Sequence, residues 1–135
     1  MHRRIAAAFA FALAAVAPVA ALAQAYPSKP VTIVVPYPPS GSNDVFARAI
    51  AKKMSESMGQ PFVVENKPGA SGMIGAGFVS NAKPDGHTIM LLSSSFTTGA
   101  AVAQNLPFDP VKGFSPIGMV ARGPMILTVA NDKPI

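Results

Sequence analysis

The chain has 135 residues, half of them hydrophobic, with no cysteine, no tryptophan and a formal net charge of +5. Without cysteine it forms neither disulfides nor thiolate metal sites, and two histidines are too few for an imidazole-based zinc or iron centre, so no metal or other cofactor is expected. The lysines are scattered rather than gathered on one face with aromatics between them, which argues against nucleic acid as a partner, and the length permits one modest core.

The chain opens with Arg3 and Arg4, continues through an alanine-rich apolar stretch from Ile5 to Val16, and reaches small residues at Ala21 and Ala23. Basic, apolar and small, in that order, read as a secretory signal peptide covering residues 1–23, with cleavage after Ala23 or after Ala25. The apolar stretch is interrupted at Pro18, short of the roughly 20 residues a membrane span requires, so no membrane anchor is expected. Loss of Arg3 and Arg4 leaves 112 residues with a net charge of +3, a mild positive balance that suits small acidic ligands and equally suits plain solubility.

Val31 to Val35 is a continuous β-branched run between Pro30 and Pro36, the pattern of a strand buried on both faces of a parallel sheet. A loop from Pro36 to Asn43 follows. From Asp44 to Met58 the apolar residues Phe46, Ile50, Met54 and Met58 recur every four positions, with Arg48, Lys52, Lys53 and Glu56 available to solvent. This spacing predicts an amphipathic helix, capped by Ser42 or Asn43 and stopped by Gly59. Pro61 to Glu65 predicts a second strand, Pro68 to Gly72 a second loop, and Met73 to Ala82 a second helix before the Pro84-Asp85-Gly86 turn. Thr88 to Leu92 predicts a third strand, leading through Ser93, Ser94 and Ser95 into a short helix ending near Ala103. Strands alternating with helices imply right-handed parallel crossovers and an α/β fold with a mainly parallel sheet. Ile117 to Val120 and Met125 to Val129 read as two further strands.

In an open parallel sheet, ligands bind at the carboxyl ends of the strands, and the three loops all lie there. Each leads into a helix start, where free N–H groups and the helix dipole can hold an anion without a charged side chain. Ser40, Ser42 and Asn43 add polar donors in the first loop, and Ser93, Ser94, Ser95, Thr97 and Thr98 add hydroxyls in the third. The arrangement suits a carboxylate, although the same residues also serve as plain caps and turns. Asp44 is either a partner of the helix dipole or a ligand-orienting group. Tyr37 is either a clamp over a ligand or a cover for the sheet edge. Asp85, His87 and Ser93 fail as a catalytic triad because Asp85 and Ser93 fall at opposite ends of the third strand, so no enzymatic activity is expected; His87 reads as a turn-exposed residue. Gly72, Gly75 and Gly77 reverse the dinucleotide spacing.

The same segments carry a more specific signal. The runs Tyr26 to Val31, Val35 to Pro39, Asp44 to Arg48, Val64 to Gly75, Pro84 to Thr88 and Leu106 to Phe114 resemble the substrate-binding proteins of tripartite tricarboxylate transporters, also called the Bug family. The resemblance implies a periplasmic receptor whose two α/β lobes, of the type II periplasmic-binding-protein fold, close on a small carboxylate and deliver it to membrane permease subunits. On that pattern residues 26–135 form part of the first lobe, and the ligand carboxylate is held largely by backbone N–H groups and ordered waters. The candidate ligand-binding residues are Tyr37, Pro39, Ser40, Gly41, Ser42, Asn43 and Asp44 in the first loop, Ala70 and Ser71 in the second, and Ser93, Ser94, Ser95 and Thr97 in the third. The family usually has paired glycines where this chain has Ser40-Gly41, so a side chain stands where glycine would allow positive φ and close ligand approach. Family members continue through a second lobe and return to the first, whereas this sequence stops at Ile135. It is expected to be either a truncated gene product or part of a longer sequence; the rival reading is a non-transporting fragment without a complete cleft, acting at most as a scaffold. If the signal is used, mass spectrometry of the exported protein should find an amino terminus at Gln24 or Tyr26, and intact residues 1–23 on the exported protein would refute it.

Overall fold

The computed structural model describes residues 25–124, 126 and 128, so the signal read in residues 1–23 lies outside it. Three parallel strands form one sheet in the order β2-β1-β3. β1 (Val31–Val35) is central, with Val31 opposite Phe62 and Val35 opposite Asn66 on one side, and Thr32 opposite Thr88 on the other. Its valines at 31, 34 and 35 are wholly buried, as a strand covered on both faces requires. β2 covers Phe62–Asn66, one residue later than the sequence pattern suggests, and β3 is confined to Thr88–Met90.

The chain passes from β1 to β2 through α1 (Ser42–Met58) and from β2 back across β1 to β3 through α2 (Met73–Ser80). Right-handed crossovers running in opposite directions place these two helices on opposite faces of the sheet. α3 (Ser95–Val102) follows β3. Val31, Ile33 and Val35 pack with Ala47, Ala51 and Phe62 into the principal core, flanked by Tyr37, Met54, Met58, Val64, Ile89 and Leu91. The buried stripe of α1 therefore runs through Asp44, Ala47 and Ala51, while Phe46 is half exposed. Of the large apolar residues at four-residue spacing, Met54 and Met58 pack against the core as expected and Phe46 does not, because the closest contact is made by alanines. Their small side chains let the helix axis approach the sheet, and Met54 and Met58 fill the margins.

Neither Ser42 nor Asn43 caps α1; Gly41 occupies the cap position without a side-chain bond. Gly59, in the left-handed region at φ 70°, ends the helix as expected. Residues 117–120 form no strand and are exposed, Ile117 at 82%. A strand is sustained by a hydrogen-bonded neighbour, and none of the described residues pairs with this segment. Met125, Leu127 and Val129 of the other expected strand lie outside the described residues. Phe108 and Phe114 fold back on Phe96 of α3, with ring centroids 5.6–6.5 Å apart within the trio.

α2 meets the base of the first loop at Gly75. A Cβ on Gly75 would lie 2.7 Å from Pro36 Cβ and 3.0 Å from the Lys67 carbonyl oxygen, and Pro36 is itself fully buried. Neither a proline ring nor a main-chain carbonyl can turn aside. Gly75→Ala is expected to destabilise the fold by about 1–3 kcal/mol through overpacking, read as a lower urea midpoint at unchanged slope.

Candidate functional site

The first loop leaves β1 at Pro36 and returns the chain into α1 over Tyr37 to Gly41. Ser40 adopts φ 67°, so the left-handed turn is made here with a side chain in place. That conformation costs a non-glycine residue roughly 1–2 kcal/mol. It aims the Ser40 N–H at Asp44 Oδ2, 3.0 Å away, and a hydrogen bond to a charged acceptor contributes about 1.5–3 kcal/mol, enough to hold the turn. The sequence-level concern over Ser40 is thus met by the carboxylate three residues after the cap.

Asp44 is only 4% exposed. Besides Ser40 N–H, its Oδ2 accepts from Arg48 Nε at 3.0 Å and its Oδ1 accepts from Asn66 Nδ2 at 3.0 Å. The Arg48 guanidinium first, then the Ser40 N–H and with a smaller effect the Asn66 amide, hold its carboxyl down at about 2 from an ordinary 3.8, against burial, which pushes the other way. Both oxygens are engaged within the protein. The geometry gives Asp44 a role beyond the two read from the sequence: it organises the loop. Asn66 also donates to the Tyr37 carbonyl oxygen at 3.1 Å and accepts from Arg48 Nη2 at 3.2 Å. Sequence reasoning placed neither Arg48 nor Asn66 at the site, because one reads as a solvent-facing helix residue and the other as a strand end.

Tyr37 crosses to the third loop. Its hydroxyl accepts from Ser93 Oγ at 2.9 Å and from Ser93 N–H at 3.2 Å, and lies 2.8 Å from Ser95 Oγ, which is 2.9 Å from Ser93 Oγ. With Ser93 donating to Tyr37, the phenol proton goes to Ser95 and the Ser95 proton returns to Ser93, closing a ring of three hydroxyls. Ser95 is exposed, whereas Tyr37 and Ser93 are half-buried.

The second loop is a left-handed turn: Gly69, Ala70, Ser71 and Gly72 all have positive φ, at 131°, 46°, 55° and 97°, closed by Gly72 N–H on the Gly69 carbonyl at 2.9 Å. Ala70 and Ser71 carry strain without glycine's freedom. Gly72 approaches the ring, since a Cβ on it would lie 3.6 Å from Tyr37 Oη. Pro39, Ser42, Ser94 and Thr97 are exposed around these loops and Asn43 is half-buried; Gly41 contributes its carbonyl to Val45 N–H at 3.0 Å. The structure therefore brings Tyr37, Ser93 and Ser95 into direct contact.

Asp85 and His87 precede β3 and Ser93 follows it, which separates the would-be triad. His87 is not the exposed turn residue its sequence position suggests. Its side chain is 10% exposed, because Tyr26 lies edge-on at 5.1 Å and Asp85 stands 3.3 Å from Nδ1. Among the described residues no group of three His, Cys, Asp or Glu is placed to hold a metal ion, and no helix is long and apolar enough to cross a membrane.

Residues 46–135 match the family model of the tripartite tricarboxylate transporter family receptor. The solved periplasmic binding protein BugD has a TM-score of 0.65 and 42% identity, over 69% of this chain and 31% of that one. A Rhodopseudomonas palustris protein with adipate has a TM-score of 0.60 and 37% identity, over 63% of this chain and 29% of its own. MatC from the same organism, with bound malate, has a TM-score of 0.60 and 36% identity, over 67% and 31%. The chain spans 33–40% of the length of the curated relatives it matches.

Asp44 generates a prediction on pH. A depressed carboxyl contributes stability that is full above its unfolded value of 3.8 and is lost as pH falls through about 2. Asp44→Asn is expected to be less stable at neutral pH and to lose less on acidification from pH ~5 to ~2, followed by urea unfolding across that range. An acid limb as steep as that of the unaltered protein would contradict it.

Proposed function

The chain belongs to the receptor family of tripartite tricarboxylate transporters, and from that premise we propose that it captures a small carboxylate in the periplasm for delivery to membrane permease subunits. The observation that carries this reading is the meeting of the first and third loops through Tyr37, Ser93 and Ser95 at the carboxyl end of the parallel strands. The solved relatives with adipate and malate support a dicarboxylate as the ligand class. On this reading the protein is a binding protein rather than an enzyme: it holds the ligand by main-chain and hydroxyl donors and changes no covalent bond. Exposed Ser42 and Ser95 face solvent beside the half-buried Tyr37 and Ser93, so the ligand approaches an open surface.

An open surface sets the affinity. Two or three N–H or O–H donors on a carboxylate contribute about 3–9 kcal/mol in total, while association costs on the order of 4–15 kcal/mol. The most favourable combination leaves about 5 kcal/mol and most leave less, so the expected dissociation constant is in the millimolar range or weaker, a millimolar constant corresponding to about 4 kcal/mol. Titrating the full chain with malate and adipate, followed by amide NMR, should shift Tyr37 to Asp44 and Ser93 to Thr97 together, with a midpoint at millimolar concentration. The neutral dimethyl esters should leave those resonances in place. Equal shifts with ester and acid, or shifts confined to the Asp85–His87 end of the sheet, would overturn the proposal.

A further inference from the structure

We propose that Asn66 is the positioning residue of this site: its side-chain amide sets where Tyr37 stands, and through Tyr37 whether the three-hydroxyl ring forms. Asn66 ends β2 opposite Val35, and the last main-chain rung beside it is Lys67 N–H on the Val35 carbonyl at 2.9 Å. The alternation of the ladder turns Pro36, which has no N–H, towards β3, and no main-chain rung to β2 follows the one made by Lys67. The Asn66 amide adds the next rung from its side chain, donating to the Tyr37 carbonyl at 3.1 Å. Its second N–H goes to Asp44 Oδ1 and its oxygen accepts from Arg48 Nη2.

The chemistry of these partners selects an amide. Position 66 must donate twice, to a neutral carbonyl and to a carboxylate, and accept once from a guanidinium. A carboxylate accepts from Arg48 but has no proton for either oxygen. An alkyl side chain leaves the Tyr37 carbonyl and Asp44 each short of a partner. Asn66 is itself half-buried and bonded within the protein, so it acts through Tyr37 rather than on a ligand.

The charged and titratable groups around position 66 are few. α1 brings Asp44 and Arg48, and β1 brings none from Val31 to Val35. Its own strand brings Glu65, paired with Lys67 at 2.7 Å, and the loop brings the Tyr37 phenol. With Asn66→Asp, the introduced carboxyl faces the Asp44 carboxylate, which raises its titration above that of a solvated carboxyl, Arg48 opposing only in part. Protonated, it donates one hydrogen bond again; ionised, it donates none.

The chain has two tyrosines and no tryptophan, so Tyr26→Phe leaves Tyr37 as the only fluorescent ring to read. In the full chain carrying Tyr26→Phe, Asn66→Ala should make Tyr37 several-fold more accessible to acrylamide, with helical circular dichroism retained. Asn66→Asp should behave likewise at pH 8 and recover protection towards pH 5, while the Asn66 protein stays flat over the same range. Malate affinity should fall about tenfold in both variants at pH 8, the loss of one well-placed hydrogen bond. This affinity arm rests on the carboxylate reading; the quenching arm does not, so a protein that fails to bind malate yet shows the Tyr37 response sinks the former and supports Asn66. Unchanged Tyr37 quenching in both variants would overturn the inference. If Asn66→Ala does not fold, the pH comparison within Asn66→Asp decides: recovery supports the role, and a flat profile rejects it.

Discussion

A carboxylate withdrawn from water keeps its charge only when the protein replaces the lost hydration with donors, and that requirement organises the site end of this fold. Asp44 receives an N–H from the turn before its own helix, a guanidinium from one turn further along that helix, and an amide from the end of the neighbouring strand. Meeting the needs of one charge thereby fixes a turn, a helix and a strand end relative to one another. The strained turn at Ser40 follows from this, as does the placement of Tyr37, whose carbonyl is held by the same Asn66 that serves Asp44.

The charged side chains at this end of the sheet are spent on architecture. Arg48 serves Asp44 and Asn66, and Lys67 lies between Glu65 and the Phe78 ring, 4.1 Å from its centroid. What the loops present outward is neutral: hydroxyls, main chain and the rigid left-handed turn from Gly69 to Gly72. At the other end of the sheet, Lys29 and Asp85 pair at 2.8 Å and Tyr26 bonds the Gly86 carbonyl at 2.7 Å, tying the start of the described chain to the turn before β3. The two ends of one small sheet thus divide the work, one closing the fold and one left open.

Much of the fold was legible in the sequence because its signals are local. Val31 to Val35 between prolines reads as a buried parallel strand and is one, and the strand–helix alternation gives the sheet. The parts that misled depend on contacts distant in sequence. Large apolar residues mark the face of α1 only where they make the contact: Met54 and Met58 do, while Phe46 does not and Ala47 and Ala51 lie at the centre of it. Ile117 to Val120 has strand composition, but a strand needs a neighbour, which composition does not supply. The loops that meet were legible as Gly- and Ser-rich helix starts; Tyr37 was read as a clamp or a cover, whereas its hydroxyl ties the first loop to the third. Asn66 and Arg48 were not, since an asparagine ending one strand and an arginine on a helix carry no mark of the third segment they hold in place.

The ring of Tyr37, Ser93 and Ser95 has a consequence for discrimination. Each hydroxyl in it already gives and takes a hydrogen bond, so none of the three has a proton to spare. Any incoming acceptor must outbid a neutral hydroxyl for a proton already in use. A neutral ester or amide oxygen offers a bond of similar strength and gains little by the exchange, whereas an ionised oxygen forms a bond roughly twice as strong. On the proposed carboxylate reading, discrimination at this ring follows the basicity of the guest rather than its shape.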